Sequence, residues 1–96
     1  MKRIRLDGKK MTSRSQAHEY IMKKLNFPEY YGKNLDALAD CLSEISDETE
    51  IRITNEDKLI ENLGNQYKGF IRVFSDIAES NPNLRFKCNI KEEEQS

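Results

Sequence analysis

Tryptophan is absent from this 96-residue chain, histidine occurs once, cysteine and proline twice each, and glycine four times. Each scarcity removes a class of explanation. Two cysteines, Cys41 in a helical pattern and Cys88 in a strand pattern, cannot build a disulfide framework and lack metal-ligand spacing. They read as thiols in a reducing compartment. With His18 as the single histidine, no Ser/His/Asp or Cys/His arrangement stands at motif spacing. A lone helical histidine reads as a packing or surface residue rather than a catalyst. The few glycines form no phosphate-cradling loop, and no metal-ligand cluster is visible, so neither a cofactor nor an enzymatic activity is expected. No apolar run approaches membrane-spanning length. Met1-Lys-Arg is not followed by the apolar stretch of a secretory leader, which makes the cytoplasm the expected setting.

Charge, in contrast, is plentiful and unevenly placed. Charged residues make up 34% of the chain against 36% hydrophobic, and the formal net charge is only −1. Residues 1–25 carry eight Lys/Arg against two Asp/Glu, a net +6, whereas residues 26–50 carry one Lys against seven Asp/Glu, a net −6. An anionic block of that density attracts a basic partner and repels nucleic acid and membrane phosphates.

The apolar residues recur with clear periods. Arg3-Ile4-Arg5-Leu6 alternates and is broken by Asp7-Gly8, as in a short strand and turn. Ser13 and Gln16 have capping-box spacing, and Ala17, Tyr20, Ile21 and Leu25 follow at helical spacing, predicting a helix over 13–25. Pro28 and Gly32 interrupt. Asn34 is placed to cap a second helix with Leu35, Leu38, Leu42 and Ile45 as its buried stripe. Residues 50–54 alternate as a strand, 55–63 form a short helical pattern stopped by Gly64, and Tyr67, Phe70, Ile71, Phe74, Ile77 and Ala78 give the strongest helical period. Leu84, Phe86, Cys88 and Ile90 close the chain as a strand.

Helices separate each strand from the next, so crossovers are available and a small three-stranded parallel sheet is predicted. One face of every strand carries Arg, Lys or Asn, which predicts a sheet covered mainly on one side, an unusual arrangement for parallel strands. The expected organisation is one α/β domain over 1–90 followed by a frayed, charged tail over 91–96.

The densest signal is Asn26-Phe-Pro-Glu-Tyr-Tyr-Gly-Lys-Asn-Leu-Asp-Ala-Leu-Ala-Asp-Cys-Leu42. An aromatic turn leads into a helix with Asp36 and Asp40 side by side, four residues apart, where like charges repel by a few tenths of a kcal/mol. Asp36 is compensated by the helix N-terminus; Asp40 is not. The bland reading is a solvated acidic face continued by Glu44. The functional reading is a surface for a cationic partner, flanked by Tyr30 and Tyr31; at least one of these is expected to pack beneath the loop, and a tyrosine beside charge also suits an interface. A catalytic carboxylate pair would need a cleft and a raised pKa, which an exposed helix does not supply. Asp76 and Glu79 lie off the apolar stripe of the last helix and matter only if it runs beside the second.

The run Pro28–Leu42 resembles the barstar family, intracellular inhibitors of barnase-type ribonucleases. The resemblance implies a three-stranded parallel sheet with about four helices packed mainly on one face. It further implies that the acidic helix and its preceding loop plug the cationic active site of a basic, secreted ribonuclease. Tyr30, Gly32, Asn34, Leu35, Asp36 and Asp40 would form the contact, with Asp40 in the place of a substrate phosphate. Ala39 stands where members often carry Trp, and Asp76 where they carry a Glu, one methylene longer. The chain would be monomeric when free, and no nucleic-acid or membrane partner is expected. Two other readings stay open: an acidic-face adaptor for a basic protein that is not a nuclease, and a small RNA-binding domain using Lys9, Lys10 and Arg14.

Overall fold

A computed structural model describes residues 1–88. Asn89, Ile90 and the charged tail over 91–96 lie outside the described residues. Three strands, β1 (Lys2–Asp7), β2 (Thr49–Thr54) and β3 (Leu84–Cys88), pair in parallel in the order β1-β2-β3. Four helices fill the connections: α1 (Arg14–Leu25), α2 (Leu35–Ser43), α3 (Glu56–Leu63) and α4 (Gln66–Ser80). The predicted order of elements and the parallel sheet are therefore both present.

Register explains the one-sided core. Ile4, Ile51 and Phe86 form one cross-sheet row and Leu6, Ile53 and Cys88 the next, all on the face toward the helices. There they join Ala17 and Ile21 of α1, Leu38 and Leu42 of α2, Leu59 and Leu63 of α3, and Phe70 and Phe74 of α4 in one core. The alternate positions, Arg3, Arg5, Arg52, Arg85 and Lys87, are exposed on the opposite face. A period-2 pattern with one charged side has no other way to be buried.

Helix ends follow local chemistry. Ser13 Oγ accepts from the Gln16 amide at 3.2 Å, and Asn26 closes α1 in the left-handed conformation at φ 60°. The reciprocal bond from the Gln16 side chain is not formed among the described residues; that side chain is exposed, and water satisfies it equally well. Between β1 and α1 a single 3-10 turn (Gly8–Lys10) is pinned by Asp7, whose carboxylate accepts from the Lys9 amide at 3.0 Å and from Asn55 Nδ2 at 2.8 Å. These bonds, Asn55's foremost, hold the Asp7 carboxyl below its usual range. Gly8 is required by close approach: a Cβ there would lie 2.2 Å from the Asn55 carbonyl oxygen, a backbone atom that cannot yield cheaply.

Two ties set α2 against α4, and they place the acidic helix. Leu35 Cδ1 fills the space where a Cβ of Gly69 would stand, at 2.8 Å from it. At the other end the buried Asn81, which follows α4, donates through Nδ2 to the carbonyls of Leu42 at 3.0 Å and Ile45 at 3.1 Å. The Leu42 carbonyl lies in the last turn of α2, where helical partners run out, and also accepts from the Ile45 amide at 3.3 Å; the Ile45 carbonyl lies just beyond the helix. The buried stripe of α2 is shorter than its sequence suggests. Leu38 and Leu42 are fully buried, whereas Leu35 and Ile45 are half-buried because one opens the helix at its exposed end and the other follows its last residue.

Candidate functional site

The loop before α2 is built around one tyrosine. Tyr31 is buried, its hydroxyl 2.6 Å from Nδ1 of the buried His18 and its ring packed against Phe27. Phe70 of α4 lies against the other side of His18, with ring centroids 4.8 Å apart. Burial pushes the Tyr31 hydroxyl upward in pKa. Burial first, and the Arg14 charge second, push His18 down to about 4, so the imidazole is neutral at physiological pH. His18 is thus a packing residue, as its isolation in the sequence implied, and it anchors the loop. Tyr30, the next residue out, is 86% exposed. One tyrosine of the pair packs beneath the loop, as expected.

The turn itself is made differently from its sequence signature. Gly32 was expected to supply the turn, but the left-handed residue is Lys33, at φ 56°. Gly32 is needed for space, since a Cβ would press on Asn34 Nδ2 at 3.3 Å and Ala37 Cβ at 3.4 Å. Lys33 is held in its unusual conformation while its ammonium pairs with Glu19 of α1. That pairing holds the Glu19 carboxyl below its usual range. It also commits the one lysine of the loop to α1.

Asn34 caps α2, accepting from the Ala37 amide through Oδ1 at 2.8 Å while Nδ2 donates to the Gly32 carbonyl at 3.4 Å. Both ends of its amide are used within the loop. Asp36 in the first turn and Asp40 one turn later are exposed, as is Glu44. No ion pair engages Asp36, Asp40, Glu44 or Asp76 among the described residues. Ala39 is half-buried, its carbonyl accepting from Ser43 Oγ at 2.7 Å. Cys41, expected among the core residues, is half-buried at the edge of the core. Its thiol is pushed up by burial, then by the negative charges of Glu44 and Asp40. Asp76 is exposed on α4, between the two points at which that helix is tied to α2. The condition set for its relevance, that the two helices be neighbours, is met.

Sequence reasoning missed one part of this surface. A depression of about 300 Å³ opens beside the start of α2, lined by Arg14, Asn34, Leu35, Asp36, Gln66 and Phe70. Arg14 and Gln66 come from elements distant in the chain, and nothing in either's local pattern marks it as a neighbour of Asp36.

The arrangement is an unpaired acidic helix face, braced from behind and preceded by an exposed tyrosine. It has no counterion within the described residues and no cluster of groups able to hold a metal ion. The family pattern described as "Barstar (barnase inhibitor)" matches residues 1–91. The chain belongs to the barstar family. A relative from Bacillus subtilis (strain 168), named "Putative ribonuclease inhibitor YrdF", is 46% identical over 43 residues, which is 45% of this chain and 47% of that protein. The match thus spans about half the length of that relative. The α/β architecture, with its three parallel strands and four helices, agrees with what the barstar resemblance implied. No helix among the described residues is long and apolar enough to cross a membrane.

Proposed function

We propose that this protein inhibits a basic, barnase-type ribonuclease by presenting the Tyr30 loop and the acidic face of α2 to the nuclease's cationic active site. The observation that carries this reading is the exposed pair Asp36 and Asp40, in no ion pair among the described residues, on a helix tied to α4 near both ends. A carboxylate offers two coplanar acceptors, the geometry that an arginine fork recognises in a phosphate. Asp40 acts as the phosphate mimic and Asp36 adds a second charged contact. Tyr30, Gly32 and Leu35 supply the surrounding surface, and Asn34 contributes through its backbone, since its side chain is spent on the cap. Ala39 supplies no aromatic at its own position, and Asp76 supplies a peripheral charge from the neighbouring helix. The free inhibitor is a monomeric, cofactor-free cytoplasmic protein, one domain over residues 1–90, and the complex buries roughly 1,600 Å² in total.

The test is titration of a barnase-type ribonuclease with the wild-type protein and with Asp40→Ala. The expected result is stoichiometric inhibition by the wild type. In the variant, binding weakens by at least about 3 kcal/mol, a magnitude carried over from the barnase–barstar complex, the reference system for such charge pairs. Full-strength inhibition by Asp40→Ala would refute the phosphate mimicry. Absence of inhibition by either protein would favour an adaptor for a different basic partner.

A further inference from the structure

The second charged surface of the molecule is the open face of the sheet. Its outward side chains include Arg3, Arg5 and Asp7 from β1, Glu50 and Arg52 from β2, and Arg85 and Lys87 from β3. Arg5, Arg52 and Lys87 fall in one register row, three cations side by side across neighbouring strands. Strands lie ~4.8 Å apart, so this row spans roughly 10 Å. Like charges on directly neighbouring strand positions destabilise a sheet. In the adjacent row Glu50 offsets part of the charge, 3.7 Å from Arg3 and 3.3 Å from Lys87. Arg5, Arg52 and Arg85 have no acidic partner within ion-pair distance among the described residues. A depression of about 420 Å³ lies between these side chains, lined by Arg3, Ile4, Arg5, Glu50, Arg52 and Lys87.

We infer that the open sheet face binds single-stranded RNA through its phosphates. Among the described residues the outward side chains of this face are charged or polar, with no apolar cluster to centre a protein interface. Phosphate recognition needs nothing but cations and donors, and arginine forks suit it best. No aromatic residue is available on the face for base stacking, so binding follows the backbone and not the base sequence. The row of cations spans only roughly 10 Å, the track of neighbouring phosphates on one strand, which favours a single strand. Deoxy strands share the phosphate chemistry. The choice of RNA rests on the nuclease reading above, because RNA is the polymer present wherever that enzyme acts. The anionic block at 26–50, on which the expectation of no nucleic-acid contact rests, repels phosphates only where it lies. The fold separates the acidic face of α2 from the basic face of the sheet, so one need not cancel the other.

The test is fluorescence anisotropy of a labelled 12-nucleotide oligouridylate with the full-length protein. The expected result is binding at low salt, with log K falling against log salt at a slope of about −2, as for three neutralised phosphates on a single strand. Replacing Arg5→Gln, Arg52→Gln and Arg85→Gln together should weaken binding at least tenfold without lowering the melting temperature. Lys9→Gln with Lys10→Gln, off this face, should change it less than twofold. Four outcomes would overturn the inference: no RNA binding, undiminished binding by the triple variant, a loss that follows Lys9 and Lys10, or preference for a polyglutamate peptide or a deoxythymidine strand. No nuclease enters the assay, so its result is separate from the outcome of the inhibition titration.

Discussion

His18, Tyr31 and Tyr30 show how three side chains divide the work of one loop. His18 is neutral in the folded protein because burial, aided by Arg14, lowers its pKa to about 4 from the ordinary 6.5. The unfolded chain takes up the proton near pH 6.5 while the folded protein does so only near 4. Acidification through that window therefore favours unfolding, and the His18 share of the loss stops growing below pH 4. The expected cost is ~3 kcal/mol across the window, checked by urea unfolding at pH 7, 5 and 4. His18→Gln should flatten that dependence. Tyr30 has the opposite character. It is almost fully exposed, so Tyr30→Ala should leave stability within about 0.5 kcal/mol of wild type. In a nuclease titration the same change should weaken inhibition by roughly 2 kcal/mol, as truncation of an aromatic contact residue does. The sequence announced both tyrosines but could not assign their roles, because adjacent residues in a turn point in directions set by the backbone around them. Lys33 makes the same point: glycine is the expected left-handed residue, yet Lys33 takes that conformation and Gly32 is kept for space.

The acidic helix α2 is only nine residues long, too short to be stable alone, and its placement depends on neighbours. Asn34 at its start was legible, since an Asn before an apolar period is a cap by its own chemistry. Asn81 was not. In the sequence it reads as a terminator before Pro82, whereas in the fold its amide reaches the carbonyls at the end of α2, some 36 to 39 positions away. Asn81→Ala should leave the Ile45 carbonyl without a donor, remove the side-chain bond to Leu42, and cost about 2 kcal/mol. In a domain of this size that lowers the melting temperature by roughly 10 °C, measurable by calorimetry. The same substitution should loosen the end of α2 that carries Asp40, so inhibition should weaken beyond what the stability loss explains.

Across the molecule, charge is sorted by layer: acidic on the outward side of α2, basic on the open side of the sheet. Such a distribution steers a cationic partner toward one end and away from the other. Association with a basic nuclease should accordingly slow by about an order of magnitude or more between low salt and roughly 0.5 M, measured by stopped flow, while dissociation changes less. A salt-independent association rate would remove steering from the account. The strands, the helices, the parallel topology and the acidic helix with its cap were all readable from the chain. Each rests on local period, capping chemistry or the length of a crossover, and these act between residues close in sequence. What no local pattern carried was the pairing of distant parts: Arg14 and Gln66 beside Asp36, Asn81 beneath Leu42, and Arg5, Arg52 and Lys87 drawn into one row. Those contacts follow from strand register and helix packing, which arise when the whole core closes and each apolar face finds the only partner that excludes water from it.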